Sequence, residues 1–219
     1  MTTGRQAAER KRPAPRLYLV TQRIDDAGAF ARPLEAVLGA TDIAAVLLRL
    51  GEADERTLIR QVKALAPVVQ HRNAALVIEG HPEIVAHAGA DGAHLSGYEA
   101  LKQALPGLKP DRIAGAGGLQ TRHDAMLAGE AGADYVMFGE PTGNGARLPF
   151  RAVVDRVAWW SEVFEVPCVG FAADIDEAEA LARAGAEFVA LGDFVWDDQG
   201  GSAALVASAA QRLNALELA

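Results

Sequence analysis

One short pattern occurs three times in this sequence and limits the folds that the chain can adopt. A helix-like stretch leads to Ala-Gly-Ala, an acidic residue follows, and then a short apolar run begins. Glycine tolerates the positive φ at which many helices end, so Gly89, Gly132 and Gly185 predict three helix ends. Each interval between these glycines has room for two strand–helix units of roughly 20 to 30 residues. The pattern therefore predicts a long βα repeat, with a further strand between consecutive copies.

Short apolar runs elsewhere complete this repeat. They predict eight strands, at Leu17–Thr21, Ile43–Leu48, Ala75–Ile78, Ala93–Leu95, Ile113–Ala116, Tyr135–Phe138, Cys168–Phe171 and Phe188–Leu191. Helices are predicted between them, including one that ends at Pro67 and one that Pro106 and Gly107 break. Eight alternating units in 219 residues predict an α/β fold with a parallel sheet closed into a single (β/α)8 TIM barrel. An open doubly wound sheet is the alternative, although no glycine-rich dinucleotide loop follows the first strand.

Composition separates a short tail from this barrel. Residues 1–15 are polar and carry four basic side chains and two prolines, which predicts a disordered basic N-terminal tail. An anion-binding arm is the alternative interpretation of the same residues. The barrel domain is then predicted to cover residues 16–219.

Charge and cysteine content argue against several classes of protein. The 29 acidic and 21 basic side chains leave a net charge of −8, which does not suit a nucleic-acid partner. Cys168 is the single cysteine and is predicted to be a buried core residue, as in a protein of the reducing cytoplasm. No apolar run reaches the about 20 residues that a membrane span needs. Trp159, Trp160 and Phe164 on one predicted helix cannot all face one core, which suggests a tryptophan in the interface of a homodimer. Packing of both tryptophans on the barrel is the alternative.

The active site of such a barrel lies at the carboxyl ends of its strands. Arg49 follows an apolar strand and predicts an anionic partner, either on a substrate or on a neighbouring acid such as Glu79. Glu79 and Glu140 are candidates for a general base or a metal ligand, or else are solvated loop residues. His94 can face the barrel interior as a catalytic group or as a hydrogen-bonded core residue.

One glycine-rich turn at a strand end is suited to phosphate. Gly117 and Gly118 precede a helix that Thr121 is expected to cap, and backbone amides at such a turn can bind an anion. The loops after the last two strands are less suited to phosphate, because they carry Asp174 and Asp193.

Three segments of the chain resemble one enzyme family. They are LYLVT at Leu17–Thr21, GADGAHL at Gly89–Leu95 and GADYVMFG at Gly132–Gly139. They are similar to thiamine phosphate synthase and its relative the thiazole tautomerase, both (β/α)8 barrels. The resemblance implies an enzyme of thiamine biosynthesis that couples an aminopyrimidine diphosphate to a thiazole phosphate. It also implies small phosphorylated substrates and, if that reaction is retained, Mg²⁺.

The same resemblance assigns roles to residues. Arg49 matches the arginine of the family's Gln-x-Arg-x-Lys pattern, Glu79 its diphosphate and magnesium residues after strand three, and Glu99 a second magnesium ligand. Arg49, Glu79 and Glu140 are the predicted catalytic residues, and Glu99 is the predicted metal ligand. The predicted substrate-binding residues lie within or just after strands: Thr21, His94, Gly117, Gly118, Gly139, Ala172, Ala173 and Gly192.

Several family residues for diphosphate and metal are replaced here, so this site is degenerate. Arg147 is the nearest cation to the family's lysine after strand six, and Ala172 and Ala173 occupy its Gly-Gly phosphate turn. Two alternatives follow. A thiazole tautomerase needs only a base and an acid, such as Glu79 or Glu140 with His94, and no metal. A divergent barrel can also bind a small ligand without the synthase reaction.

Overall fold

The computed structural model describes residues 12–142, 145–197 and 203–216. Within them eight parallel strands close into a barrel, in which β8 pairs with β1. The strands are β1 (Arg16–Ile24), β2 (Ile43–Leu50), β3 (Ala75–Glu79), β4 (Gly92–Ser96), β5 (Ile113–Gly117), β6 (Tyr135–Phe138), β7 (Cys168–Ala172) and β8 (Phe188–Leu191). The helices are α1 (Ala27–Leu38), α2 (Glu55–Gln70), α3 (Val85–Ala88), α4 (Tyr98–Leu108), α5 (Arg122–Ala131), α6 (Phe150–Val163), α7 (Ile175–Ala184) and α8 (Ala203–Asn214). The predicted (β/α)8 barrel is confirmed, and the open sheet is excluded.

The repeated glycines end helices as predicted. Gly89, Gly132 and Gly185 follow α3, α5 and α7 with φ of +75°, +104° and +104°. The strands that come next are β4, β6 and β8, so β5 and β7 lie between the copies. The sequence pattern therefore marks every second unit of the barrel from β4 onwards.

Two predicted helix ends are wrong. The helix α2 continues through Pro67 to Gln70, and α4 continues through Pro106 to Leu108. Each proline lies in the last turn of its helix, where its missing N–H removes a single hydrogen bond. The longer helices bury Val69 and Leu108, and burying such a side chain stabilises the fold by about 1.5–3 kcal/mol, which offsets that loss.

The barrel has an apolar core on each side of its sheet. The larger core lies between the strands and the surrounding helices, and the smaller one fills the barrel interior. Large interior residues include Tyr18, Tyr135 and Phe171. Gly115 makes room for one of them, because a Cβ there would collide with the ring of Tyr135. Two phenol hydroxyls thus lie inside the barrel and need hydrogen-bond partners.

The first two strands are longer than predicted and extend beyond the rest of the barrel mouth. Their register shifts between Val20 and Arg23, after which Arg23 pairs with Arg49. Thr21 lies at this irregularity, fully buried, and its hydroxyl accepts the N–H of Arg49 at 3.0 Å. The extension brings Arg49 into β2 itself and fixes its backbone at the mouth.

The two adjacent tryptophans have different environments. Trp160 is fully buried and donates its indole N–H to the carbonyl of Val166 at 2.6 Å. Trp159 is partly buried and has the guanidinium of Arg122 over its ring, 4.7 Å from the centroid. Trp159 also packs against the larger core and against the rings of Trp160 and Phe164. Packing on the barrel thus involves both tryptophans, and the homodimer stays a prediction.

Three further predictions concern the cysteine, the N-terminal tail and membrane-spanning segments. Cys168 is buried as predicted, and burial raises the pKa of its thiol. Most of the predicted tail, residues 1–11, lies outside the described residues, so the domain boundaries stay predictions. None of the helices in the described part of the chain is both long and apolar enough to cross a membrane.

Candidate active site

Four charged side chains meet at the carboxyl ends of β1, β2, β3 and β8. The Nη1 of Arg49 donates to Oδ1 of Asp193 at 2.9 Å, and its Nε lies 3.7 Å from Oε1 of Glu79. Arg23 joins them, with Nη2 4.0 Å from Oε2 of Glu79. We call Arg23, Arg49, Glu79 and Asp193 the mouth ion cluster. Arg49 thus meets anions, as predicted, and both are carboxylates of the chain itself.

Arg49 is incompletely satisfied within this cluster. Its side chain is 23% exposed, yet Nε is buried and has no hydrogen-bond partner among the described residues. Asp193, its closest partner, is 58% exposed. Pairs with such an exposed carboxylate contribute about 0–1 kcal/mol, so this one can open at little cost. The guanidinium of Arg49 can therefore accept an incoming anion.

A chain of polar side chains runs through the barrel interior. The hydroxyls of Tyr18 and Tyr135 lie 2.9 Å apart, and the hydroxyl of Tyr135 is 2.9 Å from Nδ1 of His94. The other ring nitrogen, Nε2, lies 3.4 Å from Oε2 of Glu140. We call these four residues the interior chain. It brings together two predicted site residues, His94 and Glu140, with two tyrosines.

Burial sets the protonation of the two tyrosines in the interior chain. It raises the pKa of Tyr18 and of Tyr135 well above the usual value for a phenol, because a buried tyrosinate loses its hydration. Glu140 raises both pKa values further through its negative charge. Both phenols therefore stay protonated and act as neutral donors and acceptors. His94 is held inside the barrel by its hydrogen bond with Tyr135, as in the core role predicted for it, and its role toward a substrate stays a prediction.

The glycine-rich turn after β5 is occupied by a carboxylate. The N–H of Gly118 donates to Oε1 of Glu140, and Gly118 has a φ of +61°. A Cβ on Gly117 would collide with both the carboxylate of Glu140 and Nε2 of His94. Gly117 therefore permits the close approach of Glu140, and the amide predicted to bind phosphate binds this side chain.

A second carboxylate occupies the turn after β7. The N–H of Ala173 donates to Oε2 of Glu177 at 2.7 Å, and Nη2 of Arg147 donates to the same oxygen at 3.0 Å. Arg147 also donates to the carbonyls of Gly139 and Phe171. The cation nearest to the family's lysine is thus engaged within the chain. Gly143 and Asn144 of the same loop lie outside the described residues.

Two further predicted substrate-binding residues are buried at strand ends. Ala172 is fully buried, and its carbonyl accepts the N–H of Gly192 at 3.3 Å. This hydrogen bond joins the ends of β7 and β8. Both residues therefore shape the floor of the mouth through their backbone.

The predicted metal ligand lies beside a cavity. Glu99 is exposed at the start of α4 and lines a space of about 420 Å³ with Ser96 and Gly118. No group of three His, Cys, Asp or Glu side chains suited to a metal occurs in residues 12–142, 145–197 or 203–216. Magnesium in phosphate sites usually takes one or two carboxylates and completes its shell with water and substrate oxygens. The carboxylate of Glu99 supplies hard oxygens of the kind that such an ion takes, whereas Glu79 faces Arg23 and Arg49.

Several residues of this site were not among the predicted catalytic, substrate-binding or metal-binding residues, although the strand-end positions of Arg23 and Asp193 made them candidates. Tyr18 and Tyr135 lie in apolar runs, and only the alternation of a strand, which turns every second side chain inwards, could have indicated them. Glu177 and Arg23 carry no motif. Their contacts depend on how the loops of different units meet, which no local pattern records.

Comparisons of the sequence and of the structure with known proteins point to the same enzyme family. The sequence model of a family described as thiamine monophosphate synthase matches residues 17–194. A thiamine-phosphate synthase from Rhodospirillum centenum is 40% identical, over 88% of this chain and 94% of that protein. One from Hyphomonas neptunium is 36% identical, over 89% and 92%. Among solved structures, thiamine phosphate pyrophosphorylase from Pyrococcus furiosus superposes with a TM-score of 0.73 at 19% identity, covering 90% of this chain and 95% of that one.

Proposed function

The chain belongs to the thiamine monophosphate synthase family, and we propose that it couples an aminopyrimidine diphosphate to a thiazole phosphate at the barrel mouth. In this reaction the lone pair of the thiazole nitrogen forms a C–N bond to the methylene carbon of the pyrimidine. The C–O bond of that carbon breaks, and its electron pair leaves with diphosphate. The tautomerase and the non-catalytic barrel are not favoured, since the sequence relatives compared above are thiamine-phosphate synthases.

The observation that carries the proposal is the guanidinium of Arg49 at the mouth: its buried Nε makes no hydrogen bond to any described residue, and its Nη1 is held by the exposed Asp193. Because a guanidinium is planar and has five N–H donors, it binds phosphate oxygens in pairs. A diphosphate at this place would take over the contact that Nη1 makes with Asp193. Arg23, whose side chain lies at the same cluster, adds positive charge. The charge that develops on the leaving diphosphate is then stabilised by groups already in position.

One carboxylate is assigned to the metal. Glu99 would hold Mg²⁺ together with the diphosphate, and the bound ion would supply positive charge to the leaving group. Glu79 has a different role, because it lies between Arg23 and Arg49 and holds their guanidinium groups at one edge of the mouth.

We assign to Glu140 the stabilisation of the thiazole ring, which gains positive charge in the reaction. The thiazole nitrogen becomes cationic as the C–N bond forms, and a fixed carboxylate in a site of low dielectric stabilises that charge. Oε2 of Glu140 is buried and has no hydrogen-bond partner among the described residues. The amide of Gly118 and the ring of His94 fix the position of this carboxylate. His94 is therefore a positioning residue.

The test compares two arginine variants in an assay for thiamine phosphate with both substrates and Mg²⁺. Arg49→Gln removes the positive charge of this guanidinium, and we expect kcat/KM to fall by about 10²–10³-fold. The matched control is Arg60→Gln, since Arg60 lies on α2 and contacts the hydroxyl of Thr57. It should retain the activity of the unchanged protein. Equal activity of the two variants would contradict the assignment of Arg49.

A further inference from the structure

We propose that Arg156, on the outer helix α6, is a positioning residue of the coupling reaction. It holds the turn after β5, and that turn fixes the carboxylate of Glu140. This inference rests on the proposed synthase function, in which Glu140 stabilises the charged thiazole ring. It adds to the reaction a residue on the outside of the barrel that acts through Glu140.

The guanidinium of Arg156 binds two consecutive carbonyl groups of this turn. Its Nη1 donates to the carbonyl of Leu119 at 2.8 Å, and its Nη2 donates to that of Gln120. Hydrogen bonds from an ionised donor are stronger than those between neutral groups, and the rigid fork of a guanidinium fixes two acceptors relative to each other. Burial lowers the pKa of Arg156 from the usual value of a guanidinium, which nevertheless stays protonated at neutral pH. Leu119 and Gln120 are therefore tied to α6.

The same turn carries the amide that holds Glu140. Residues 118–120 lie between β5 and α5 and belong to neither. The N–H of Gly118 donates to Oε1 of Glu140, and Leu119 is the next residue along the chain. A single rigid peptide plane separates the N–H of Gly118 from the carbonyl of Leu119. A shift of the carbonyl that Arg156 binds is therefore passed on to the amide that binds Glu140.

Helix α6 also supports the chain that leads to Glu140. Val153 lies one turn before Arg156 on this helix and is fully buried. A Cβ on Gly139, the residue before Glu140, would lie 2.7 Å from a methyl group of Val153. The helix thus packs against the backbone beside Glu140, while Arg156 holds the turn that receives the carboxylate. Both partners of the hydrogen bond between Gly118 and Glu140 are positioned by one helix.

The end of β4 holds the turn from a second side. The N–H of Gly97 donates to the carbonyl of Gly117 at 2.7 Å. A Cβ on Gly118 would lie 2.4 Å from Oγ of Ser96. The turn is therefore confined between the end of β4 and the guanidinium of Arg156. Removing Arg156 leaves it without the anchor on the α6 side, so the amide of Gly118 can move away from Glu140.

A positioning role affects the rate of the chemical step more than the binding of substrates. The thiazole nitrogen becomes cationic only as the C–N bond forms, so a misplaced Glu140 weakens the stabilisation of the transition state and lowers kcat. A cation that binds the diphosphate directly would instead change the KM of that substrate. The two roles of Arg156 are thus distinguished by which kinetic constant its removal changes.

The first test measures kcat and KM for thiamine phosphate formation by variants of Arg156. We expect Arg156→Gln to lower kcat by about ten- to a hundredfold, with little change in either KM. Arg156→Lys keeps a cation with three donors and should recover most of this loss. Arg151→Gln is the control, since Arg151 is exposed on the same helix, and it should keep the kcat of the unchanged protein. A higher KM of Arg156→Gln with an unchanged kcat would overturn the inference.

A double-mutant cycle tests whether Arg156 acts through Glu140. The effects of coupled residues do not add, whereas those of independent residues do. In a protein that already carries Glu140→Gln, we therefore expect Arg156→Gln to lower kcat by less than about twofold. An equal fall in both backgrounds would overturn the inference, because it would reflect a general loss of structure.

A spectroscopic measurement separates this inference from the proposed function. An amide that donates to a carboxylate makes a stronger hydrogen bond than one with a neutral acceptor, and its proton resonates further downfield in NMR spectra. We expect the amide proton of Gly118 to move upfield in Arg156→Gln, in the direction of its position in Glu140→Gln, and to stay in place in Arg151→Gln. An unchanged Gly118 resonance in Arg156→Gln would overturn the inference. Absence of coupling by the unchanged protein would contradict the synthase function, while this resonance would still decide on Arg156.

Discussion

The hydroxyl of Tyr135 lies 2.9 Å from Nδ1 of His94 in the interior of the barrel. The same hydroxyl is 2.9 Å from that of Tyr18, so one oxygen joins side chains from β1, β4 and β6. A polar contact of this kind orients the His94 ring, whose other nitrogen faces Glu140. The position of a carboxylate at the mouth thus depends on a phenol buried below it.

Removing the Tyr135 hydroxyl tests this dependence. Tyr135→Phe leaves the hydroxyl of Tyr18 and Nδ1 of His94 without this partner inside the barrel, and we expect a loss of about 1–3 kcal/mol in the free energy of unfolding. Urea denaturation measures it. Tyr98→Phe is the control, because Tyr98 lies at the start of α4 and lines the same cavity as Glu99. This change should alter stability by less than about 0.5 kcal/mol. Equal effects of the two changes would contradict the interior chain.

The raised pKa values of Tyr18 and Tyr135 predict how stability depends on alkaline pH. In the unfolded chain both phenols ionise near pH 10, whereas in the folded protein they stay protonated beyond it. The unfolded state therefore binds fewer protons, and stability is lost as pH rises above about 10, by up to about 1.4 kcal/mol per pH unit for each tyrosine. Urea denaturation between pH 9 and about 11 measures the slope. Tyr135→Phe should reduce it, and an unchanged slope would contradict the prediction.

Filling the space at Gly117 should displace the groups that approach it. Gly117→Ala places a methyl group against Glu140 and His94, and we expect kcat/KM to fall by about tenfold or more, because small misplacements at a site are costly. Gly107→Ala is the control. A Cβ on Gly107 meets nothing within 4 Å, and in helix α4 alanine should stabilise the protein by about 0.5–1 kcal/mol. Unchanged synthesis by Gly117→Ala would argue against Glu140 as a group of the site.

Removing the competing carboxylate at Arg49 should favour the diphosphate. Asp193→Asn keeps the shape of the side chain but removes the charge that an incoming anion must replace. We expect the KM for the aminopyrimidine diphosphate to fall by up to about fivefold, the equivalent of an exposed ion pair of 0–1 kcal/mol. Asp197→Asn removes the same charge from a nearby exposed residue and should leave the KM unchanged. A higher KM for Asp193→Asn would show that Asp193 assists binding.

The sequence predicted most of the fold because the relevant signals are local. Gly132 ends a helix through its own φ, and the apolar run that follows it needs no distant partner to be recognised as a strand. Pro67 misled the prediction for the same reason. Its local effect predicts a helix end, whereas the burial of Val69 by the rest of the barrel carries the helix on.

The candidate site was only partly predictable. Arg49, Glu79 and Glu140 were found because a parallel barrel collects its strand ends at one mouth. The occupation of the phosphate turns by Glu140 and Glu177 was not, since it depends on the rotamers of side chains that reach across two units. Tyr18 and Tyr135 were missed because each lies in an apolar run of the sequence. Their hydroxyls meet each other and His94 only because the closed barrel brings β1, β4 and β6 together.

We infer that the mouth of this barrel performs the coupling reaction. The most direct measurement is the formation of thiamine phosphate by the purified protein from aminopyrimidine diphosphate, thiazole phosphate and Mg²⁺, with diphosphate quantified in parallel. We predict multiple turnovers, with thiamine phosphate and diphosphate formed in equal amounts. No thiamine phosphate above the rate without enzyme, at micromolar protein, would contradict it.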